Sequence, residues 1–326
     1  METSSEATLS SRDRLAHDVR RDLHAVPKLF QPRYLYDALG SHLFEAICQL
    51  PEYRITRSEL DLLATHAAAI GAGLESPLTL VELGSGNGEK LALLVSALVD
   101  AGRDVGVELV DVSATALELA TRALARFPAV RVTGHQTTYE DGLRRIADQR
   151  AAEGRDGGML VAFLGSNIGN LDPAAARRFL AMIRGAQRPQ DRLVLGTDLV
   201  KPEAELVAAY DDALGVTAAF NKNLLVRLNR ELGADFDLDQ FAHRAMWNAA
   251  ESRVELHLDS LRAQVVSIPG AGCTVAFAAG ESIWTESSYK YERAALVALA
   301  AELGLARHDQ WVDEDARFAV TAFNAV

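Results

Sequence analysis

Short apolar runs alternate with amphipathic segments through the middle of the chain. Between the runs, stretches such as EKLALLVSALVDAG, SATALELATRALARF and PAAARRFLAMIRGA repeat apolar residues at helical spacing. Strands and helices that alternate in this way are typical of a parallel sheet covered by helices on both faces. We therefore predict an α/β, doubly wound domain with strands at 78–83, 105–112, 129–135, 159–165 and 192–199.

The pattern changes on both sides of this region. Residues 32–59 mix aromatic and small residues in a manner that suits a helical segment lining a ligand site, and Ser58 is a candidate N-cap for a helix over 58–72. Residues 201–241 are predicted to be mostly helical. The apolar runs that follow predict an antiparallel meander with strands at 253–260, 263–268 and 273–280.

The last segment, 291–326, predicts a helix followed by two strands. A terminal hairpin of this kind adds an antiparallel edge to a doubly wound sheet. We therefore expect one domain made of residues 58–199 and 291–326. A second, α+β domain that binds the substrate would be built from both flanks, residues 1–57 and 200–290.

Composition and charge narrow the class of partner. A formal charge of −12 disfavours nucleic acids and anionic membranes, because contact with phosphates needs clustered Lys and Arg. The two cysteines lie far apart and the eight histidines show no ligand spacing, so no metal site is predicted. The chain has no apolar run long enough to cross a membrane and no signal-peptide pattern at its start. We expect a cytoplasmic monomer that acts on a small molecule.

The glycine-rich loop after the first predicted strand, VELGSGNGEK at 81–90, indicates the kind of ligand. In open α/β sheets the ligand lies beyond the carboxyl ends of the strands, and Gly84 and Gly86 let the backbone approach it closely. A carboxylate at Glu82 would repel a phosphate but would attract a cation. The loop also lacks the ending of a phosphate-binding P-loop, since Lys90 follows an acid.

The next predicted strand ends at Asp111, where an acid is the expected acceptor for both hydroxyls of a ribose. A ribose without phosphate beside a cationic centre describes S-adenosylmethionine. The predicted cofactor contacts in these two segments are Glu82, Gly84, Ser85, Gly86 and Asp111.

Several long motifs in order resemble the class I methyltransferases of Rossmann-like fold, and more narrowly the histidine Nα-methyltransferases of ergothioneine biosynthesis. They are PRYLYDALGSHLFEAICQLPEY, TRSE followed by VELGSGNGEK, FLGSNIGNL, GTDLVK with AYDDALGVTAAFNKN, NRELGADFDLDQFAH and GESIWTESSYKY. The resemblance covers nearly the whole chain. It implies trimethylation of the histidine α-amine to give histidine betaine, with S-adenosylmethionine as methyl donor.

The resemblance also implies roles for individual residues. It implies that Gly84, Lys90 and Asp111 contact the cofactor, and that Thr138 and Tyr139 stand where the family meets its adenine. Asn170 and Tyr210 would hold the substrate carboxylate, and Gly165 would lie near the amine and the methyl donor. The remaining substrate contacts implied are Tyr36 and Phe44 beside the reacting nitrogen, and Tyr53, Glu286 and Ser288 around the imidazole. We expect Tyr36 to accept the departing proton, directly or through water, and Glu286 to select histidine by accepting the imidazole N–H.

Two positions depart from the family pattern. The family places an Asp-Phe pair where this chain has Thr138 and Tyr139, so the contact with adenine would be uncharged. Leu256 stands where methionine is expected in the substrate site, and the similar volumes of the two side chains make the swap a mild one.

Three alternatives remain open at this point. The first is a methyltransferase of the same fold that acts on another amino acid such as tryptophan or tyrosine. The second is a protein that binds S-adenosylmethionine without catalysis. The third is a dinucleotide oxidoreductase, against which Glu82 and the lack of a G-x-G-x-x-G motif count.

Overall fold

A computed structural model describes residues 10–154 and 157–326. The helices are α1 (Ser11–Asp22), α2 (Ala38–Ile47), α3 (Ile55–Gly71), α4 (Glu89–Asp100), α5 (Ala114–Leu124), α6 (Tyr139–Ala152), α7 (Pro173–Ala186), α8 (Glu203–Tyr210), α9 (Val216–Leu232) and α10 (Arg293–Glu302). The strands are β1 (Lys28–Leu29), β2 (Leu78–Leu83), β3 (Val105–Asp111), β4 (Arg131–Gln136), β5 (Met159–Phe163), β6 (Arg192–Asp198), β7 (Phe241–Asn248), β8 (Arg253–Ser260), β9 (Gln264–Ile268), β10 (Cys273–Phe277), β11 (Ser282–Tyr289), β12 (Leu305–Asp313) and β13 (Phe318–Ala325).

The described residues divide into two compact units. The first unit contains Met1–Tyr53, as far as these residues are described, and Pro202–Ser288. The second unit contains the described residues of Arg54–Lys201 and all of Tyr289–Val326. The boundary predicted after residue 57 would cut through α3, which is one continuous helix from Ile55 to Gly71.

The second unit is organised around a seven-stranded sheet of order β12-β13-β6-β5-β2-β3-β4. Strands β6, β5, β2, β3 and β4 run parallel, and β13 pairs antiparallel with both β6 and β12. Every residue of β2 and β5 is buried, as expected for central strands covered on both faces. The predicted doubly wound sheet with an antiparallel C-terminal hairpin is confirmed.

Helix α3 begins earlier than its sequence suggests. The N-cap is Arg54 and not Ser58, which is a buried residue of the first helical turn. The prediction that Ser58 caps the helix is therefore wrong. The reason is an apolar stripe that starts at Ile55 and, after Glu59, continues at Leu63 and Ala67, so that burial extends the helix by a turn.

The first unit contains a four-stranded sheet of order β1-β11-β8-β7 and a separate hairpin of β9 and β10. The predicted three-stranded meander is therefore wrong, because β8 pairs with β7 and β11 whereas β9 pairs with β10. Helix α9 packs on β7 and β8 and buries Phe220, Leu224 and Leu228.

Among the helices of the described ranges, none is both long and apolar enough to cross a membrane.

Candidate active site

The glycine loop between β2 and α4 adopts backbone conformations that favour glycine. Gly84, Gly86 and Gly88 have φ angles of 86°, 50° and 77°. A Cβ at Gly84 would lie 2.9 Å from the Tyr139 hydroxyl and 3.1 Å from Asn167 Nδ2, so the space beside the loop is already filled by side chains. Glycine is needed there both for conformation and for close approach.

Asp111, the last residue of β3, is tied to this loop. Its Oδ2 accepts the Ser85 N–H at 2.9 Å and its Oδ1 accepts the Ser113 N–H at 2.8 Å. Burial raises the pKa of the Asp111 carboxyl, and these backbone bonds oppose the increase. A carboxylate has about four acceptor positions, so the oriented Asp111 can still accept two hydroxyls.

Glu82, on β2, is 3% exposed, and its Oε2 has no hydrogen-bond partner among the described residues. Burial raises the pKa of the Glu82 carboxyl well above its ordinary value; Lys90 opposes this increase, while Asp111 and Glu59 add to it. The Ser85 hydroxyl is likewise buried without a partner in the described part of the chain. Buried polar atoms left unpaired are costly, so both atoms indicate a polar ligand at this loop.

Lys90 and Gly165 are brought together by a residue that sequence reasoning missed. Glu59 on α3 lies with its Oε2 2.6 Å from Lys90 Nζ, and both of its oxygens accept the Gly165 N–H, at 2.9 and 2.8 Å. The sequence does contain a sign that Glu59 is buried, because this acid interrupts the apolar stripe of α3 between Ile55 and Leu63. An acid in such a stripe is buried and needs a partner.

Thr138 and Tyr139 begin α6. The Thr138 hydroxyl is the N-cap acceptor for the Asp141 N–H at 3.3 Å, and the Asp141 carboxylate pairs with Arg144. Tyr139 packs its ring edge against Phe163, with centroids 5.7 Å apart, and burial raises the pKa of its hydroxyl. Thr138 therefore has a structural role in starting the helix, and its contact with adenine stays a prediction.

The turn after β5 carries Gly165, Asn167 and Asn170. Gly165 and Ser166 have φ angles of 75° and 56°. Asn167, which sequence reasoning also missed, directs its amide nitrogen towards the positions that side chains at Gly84 and Gly165 would occupy. Asn170 ends the short 3-10 helix of the turn and is exposed. Asn170 is thus accessible, as a ligand-binding role requires.

In the first unit, the predicted aromatic residues form one cluster. Tyr36 contacts Phe44 and Phe220 edge-on, with ring centroids 5.5 and 5.4 Å apart. Phe44 in turn lies 6.3 Å from Tyr53, which lies 6.0 Å from Tyr210. Tyr36 is 36% exposed, so the cluster keeps one phenol accessible. Phe220 was not predicted, because its place on α9 resembles that of any core residue.

Tyr210 is fixed at two points. Its hydroxyl lies 2.9 Å from Ser288 Oγ, and its backbone carbonyl accepts the His243 Nε2–H at 2.8 Å. His243 Nδ1 lies 3.0 Å from Asn221 Nδ2, which makes it the acceptor nitrogen of a neutral imidazole. Burial lowers the pKa of His243, consistent with the neutral form.

Glu286 lies within β11, where its side chain is 7% exposed. Strand β11 is not among the strands predicted from the sequence. Burial of an acid is costly without partners, so a buried Glu286 favours a ligand-binding or structural role over a solvated one. Leu256 on β8 is also buried, and its carbonyl accepts the Thr285 hydroxyl at 2.9 Å, which joins β8 to β11 one residue before Glu286.

Comparison with known proteins decides the family. Residues 15–325 match the model of the histidine-specific, S-adenosylmethionine-dependent methyltransferases. The chain belongs to this family. It is 44% identical to a histidine N-alpha-methyltransferase of Mycolicibacterium smegmatis, covering 96% of this chain and 95% of the relative. It is 42% identical to the protein of that name in Mycobacterium tuberculosis, with 94% of each chain covered.

A third relative, ergothioneine biosynthesis protein 1 of Neurospora crassa, is 33% identical over 64% of this chain and 23% of its own length. The cofactor of the family is S-adenosylmethionine, as the sequence predicted.

The second unit of this methyltransferase fits that cofactor. The unpaired Glu82 Oε2 and Ser85 Oγ supply polar partners beside the glycine loop, and Asp111 is oriented to accept ribose hydroxyls. Once ionised beside a cationic ligand, the Glu82 carboxylate would also supply negative charge to an ammonium or a sulfonium.

The predicted residues of the methyltransferase fall into two sets, each within its own unit. The second unit holds Glu82, Gly84, Ser85, Gly86, Lys90, Asp111, Thr138, Tyr139, Gly165 and Asn170. The first unit holds Tyr36, Phe44, Tyr53, Tyr210, Leu256, Glu286 and Ser288.

Proposed function

We propose that this protein transfers three methyl groups in succession from S-adenosylmethionine to the α-amino nitrogen of L-histidine. The product is histidine betaine (hercynine), and the reaction is the first step of ergothioneine biosynthesis. Two relatives called histidine N-alpha-methyltransferase, each covered over nearly its whole length, support the reaction. The relative called ergothioneine biosynthesis protein 1 supports the pathway.

The observation that carries the choice of histidine is the burial of Glu286. A buried carboxylate can accept the N–H of an imidazole, whereas an aliphatic side chain offers it no donor. Ser288, two residues further along β11, lies 2.9 Å from the Tyr210 hydroxyl. If Tyr210 donates its proton to the substrate, Ser288 donates to Tyr210 and keeps a lone pair for a second ring N–H. An acid and a hydroxyl oxygen thus match the two N–H groups of a protonated imidazole.

The substrate α-amine carries a positive charge in every state except the one that reacts. We propose that the rings of Tyr36 and Phe44 surround this amine, because ring faces attract ammonium cations. The attraction persists as methyl groups replace N–H donors, so the same rings suit the mono- and dimethylated amines. We assign the substrate carboxylate to the Tyr210 hydroxyl.

S-adenosylmethionine supplies an electrophilic methyl carbon on a sulfonium. In each transfer the lone pair of the neutral amine forms the N–C bond, and the electrons of the C–S bond leave with sulfur. Positive charge thus arrives on nitrogen, and the protein contributes mainly alignment, which can supply roughly 7–11 kcal/mol.

The proton of the amine must leave before each attack on a methyl group. An α-amine in peptides has a pKa of about 8. A modest decrease of that pKa therefore leaves enough neutral amine for the attack at neutral pH. Tyr36 is the proposed acceptor of that proton, directly or through water. Its partial exposure gives the proton a route to solvent.

A competition assay tests the substrate. The protein is incubated with S-adenosylmethionine and an equimolar mixture of the twenty amino acids, and the products are identified by mass. We expect a gain of three methyl groups on histidine alone. Methylation of tryptophan or tyrosine in preference to histidine would contradict the substrate, and no methylation despite cofactor binding would contradict the enzymatic function.

A further inference from the structure

The carboxylate of Glu59 is fully enclosed in the second unit, and its hydrogen-bond partners among the described residues belong to the proposed cofactor site. It is 0% exposed on α3, yet it contacts the Lys90 ammonium and the Gly165 N–H at hydrogen-bond distances. A buried carboxylate is retained at a high desolvation cost unless its partners are well placed. Its partners here are two residues to which the resemblance assigns the cofactor and the methyl donor.

The neighbouring strand leaves room for this carboxylate. A Cβ at Gly196 of β6 would lie 1.7 Å from Glu59 Oε1, and nothing else would come closer than 2.9 Å. Gly196 has no positive φ angle, so its backbone conformation does not require glycine. The absence of a side chain at this point of β6 is therefore explained by the space that Glu59 occupies.

Glu59 also determines the orientation of the turn after β5. The Gly165 N–H belongs to the peptide group that follows Leu164, and in a trans peptide the N–H and the carbonyl point in opposite directions. The bonds to Glu59 therefore direct the Leu164 carbonyl away from α3, where it accepts the Asn167 N–H at 3.4 Å. One carboxylate thus orients the turn that carries Gly165 and Asn167.

The same carboxylate restrains Lys90. An ammonium has three donors, and Glu59 Oε2 accepts one of them at 2.6 Å, which limits the positions of the other two. Glu82 and Asp111 are further acids whose charges act in this region. The close contact with Glu59 thus restrains the position of the Lys90 ammonium.

We infer that Glu59 is a positioning residue for methyl transfer, which holds Lys90 and the Gly165 turn in the geometry that binds the methyl donor. The inference rests on the proposed roles of Lys90 and Gly165. It does not depend on which amino acid is methylated.

The test measures binding of S-adenosylhomocysteine by calorimetry, without any amino acid present. Glu59→Gln keeps the shape of the side chain but removes its charge, and we expect the Kd to rise about tenfold or more, since a hydrogen bond to a charged group is lost. Asp61→Asn, an exposed acid on the same helix, is the matched control and should keep the wild-type Kd.

A double-mutant cycle separates positioning from general damage to the fold. If Glu59 acts through Lys90, Glu59→Gln should weaken binding much less in a Lys90→Met background than in the wild type. At saturating S-adenosylmethionine, Glu59→Gln should also lower kcat while leaving the KM for the amino acid nearly unchanged. If Glu59 only stabilised the fold, the losses of binding affinity in the double-mutant cycle would be additive. The decrease in kcat with an unchanged KM would then not be observed.

Gly196→Ala provides an independent variant in case Glu59→Gln does not fold. Its added methyl displaces the Glu59 carboxylate without removing its charge, and we expect the same loss of S-adenosylhomocysteine affinity. Wild-type affinity and kcat in a folded Glu59→Gln or Gly196→Ala protein would overturn the inference. Because the binding assay contains no substrate, failure of histidine to react would leave this result unaffected.

Discussion

The Tyr210 hydroxyl lies 2.9 Å from the Ser288 hydroxyl, and both side chains are buried. The pair joins the end of α8 to the end of β11, two segments far apart in the chain. One hydroxyl of the pair must accept and the other donate, so the remaining donor and acceptor positions are oriented. This arrangement is the reason to assign both groups to the substrate.

Tyr210→Phe should raise the KM for histidine about tenfold, since one oriented hydroxyl is lost and Ser288 is left without its bond. The affinity for S-adenosylhomocysteine should not change. Steady-state kinetics and calorimetry check the two halves of this prediction. Ser287→Ala, a half-buried neighbour, is the control with unchanged kinetics. An unchanged KM in Tyr210→Phe would remove Tyr210 from the substrate site.

Glu286→Gln should reduce kcat/KM for histidine about a hundredfold, because an amide accepts the imidazole N–H less strongly than a carboxylate and adds an unmatched donor. The loss for tryptophan or tyrosine should be much smaller, so the preference for histidine should narrow. Competition between histidine and tryptophan measures the ratio directly. The exposed acid Glu251, changed to Gln, serves as control. Equal losses for both amino acids would show that Glu286 does not select the side chain.

Tyr36→Phe should lower kcat by roughly a hundredfold if the phenol accepts the amine proton, which is the lower end of the range for a proton-transfer group. The ring contacts with Phe44 and Phe220 do not involve the hydroxyl, so the fold should be preserved. A rate profile against pH measures the effect: the variant should recover activity as pH rises and the amine loses its proton to solvent. Unchanged turnover near neutral pH would contradict this role.

The buried acid Glu82 should make the protein without cofactor less stable as pH rises. Burial raises the pKa of Glu82 well above 4.5, so the folded protein retains a proton that the unfolded chain releases above its ordinary pKa. The free energy of unfolding therefore decreases as pH increases through the interval between the ordinary and the raised pKa. Glu82→Gln should remove this dependence, and the difference in Tm between variant and wild type should grow as pH rises above 4.5. A constant difference would contradict the raised pKa.

Some strands of this fold could be predicted from the sequence and others could not. The limits of β2 agree with the predicted run at 78–83, because a mostly apolar segment lies between Pro77 and a glycine loop. Strand β7 was missed because it contains none of the β-branched residues typical of strands. Strand β11 was missed because serines and an acid hide its alternation, although the four-stranded sheet buries it.

Some residues of the candidate site could likewise be predicted from the sequence and others could not. Glu82 and Asp111 could be predicted, because each ends an apolar strand where ligands bind. The role of Glu59 could not, since its partners Lys90 and Gly165 are distant in sequence and meet it only in the folded unit. Phe220 escaped for a similar reason, because an apolar residue on a helix gives no sign of which aromatic rings it contacts.

The measurement that tests the central claim most directly is the position of the transferred methyl groups. Histidine is treated with the protein and S-adenosylmethionine carrying a ¹³C-labelled methyl group, and the product is analysed by NMR and fragmentation mass spectrometry. We predict three equivalent labelled methyl groups on the α-nitrogen and none on the imidazole. Label on a ring nitrogen, or a product that stops at one methyl group with donor in excess, would contradict the account.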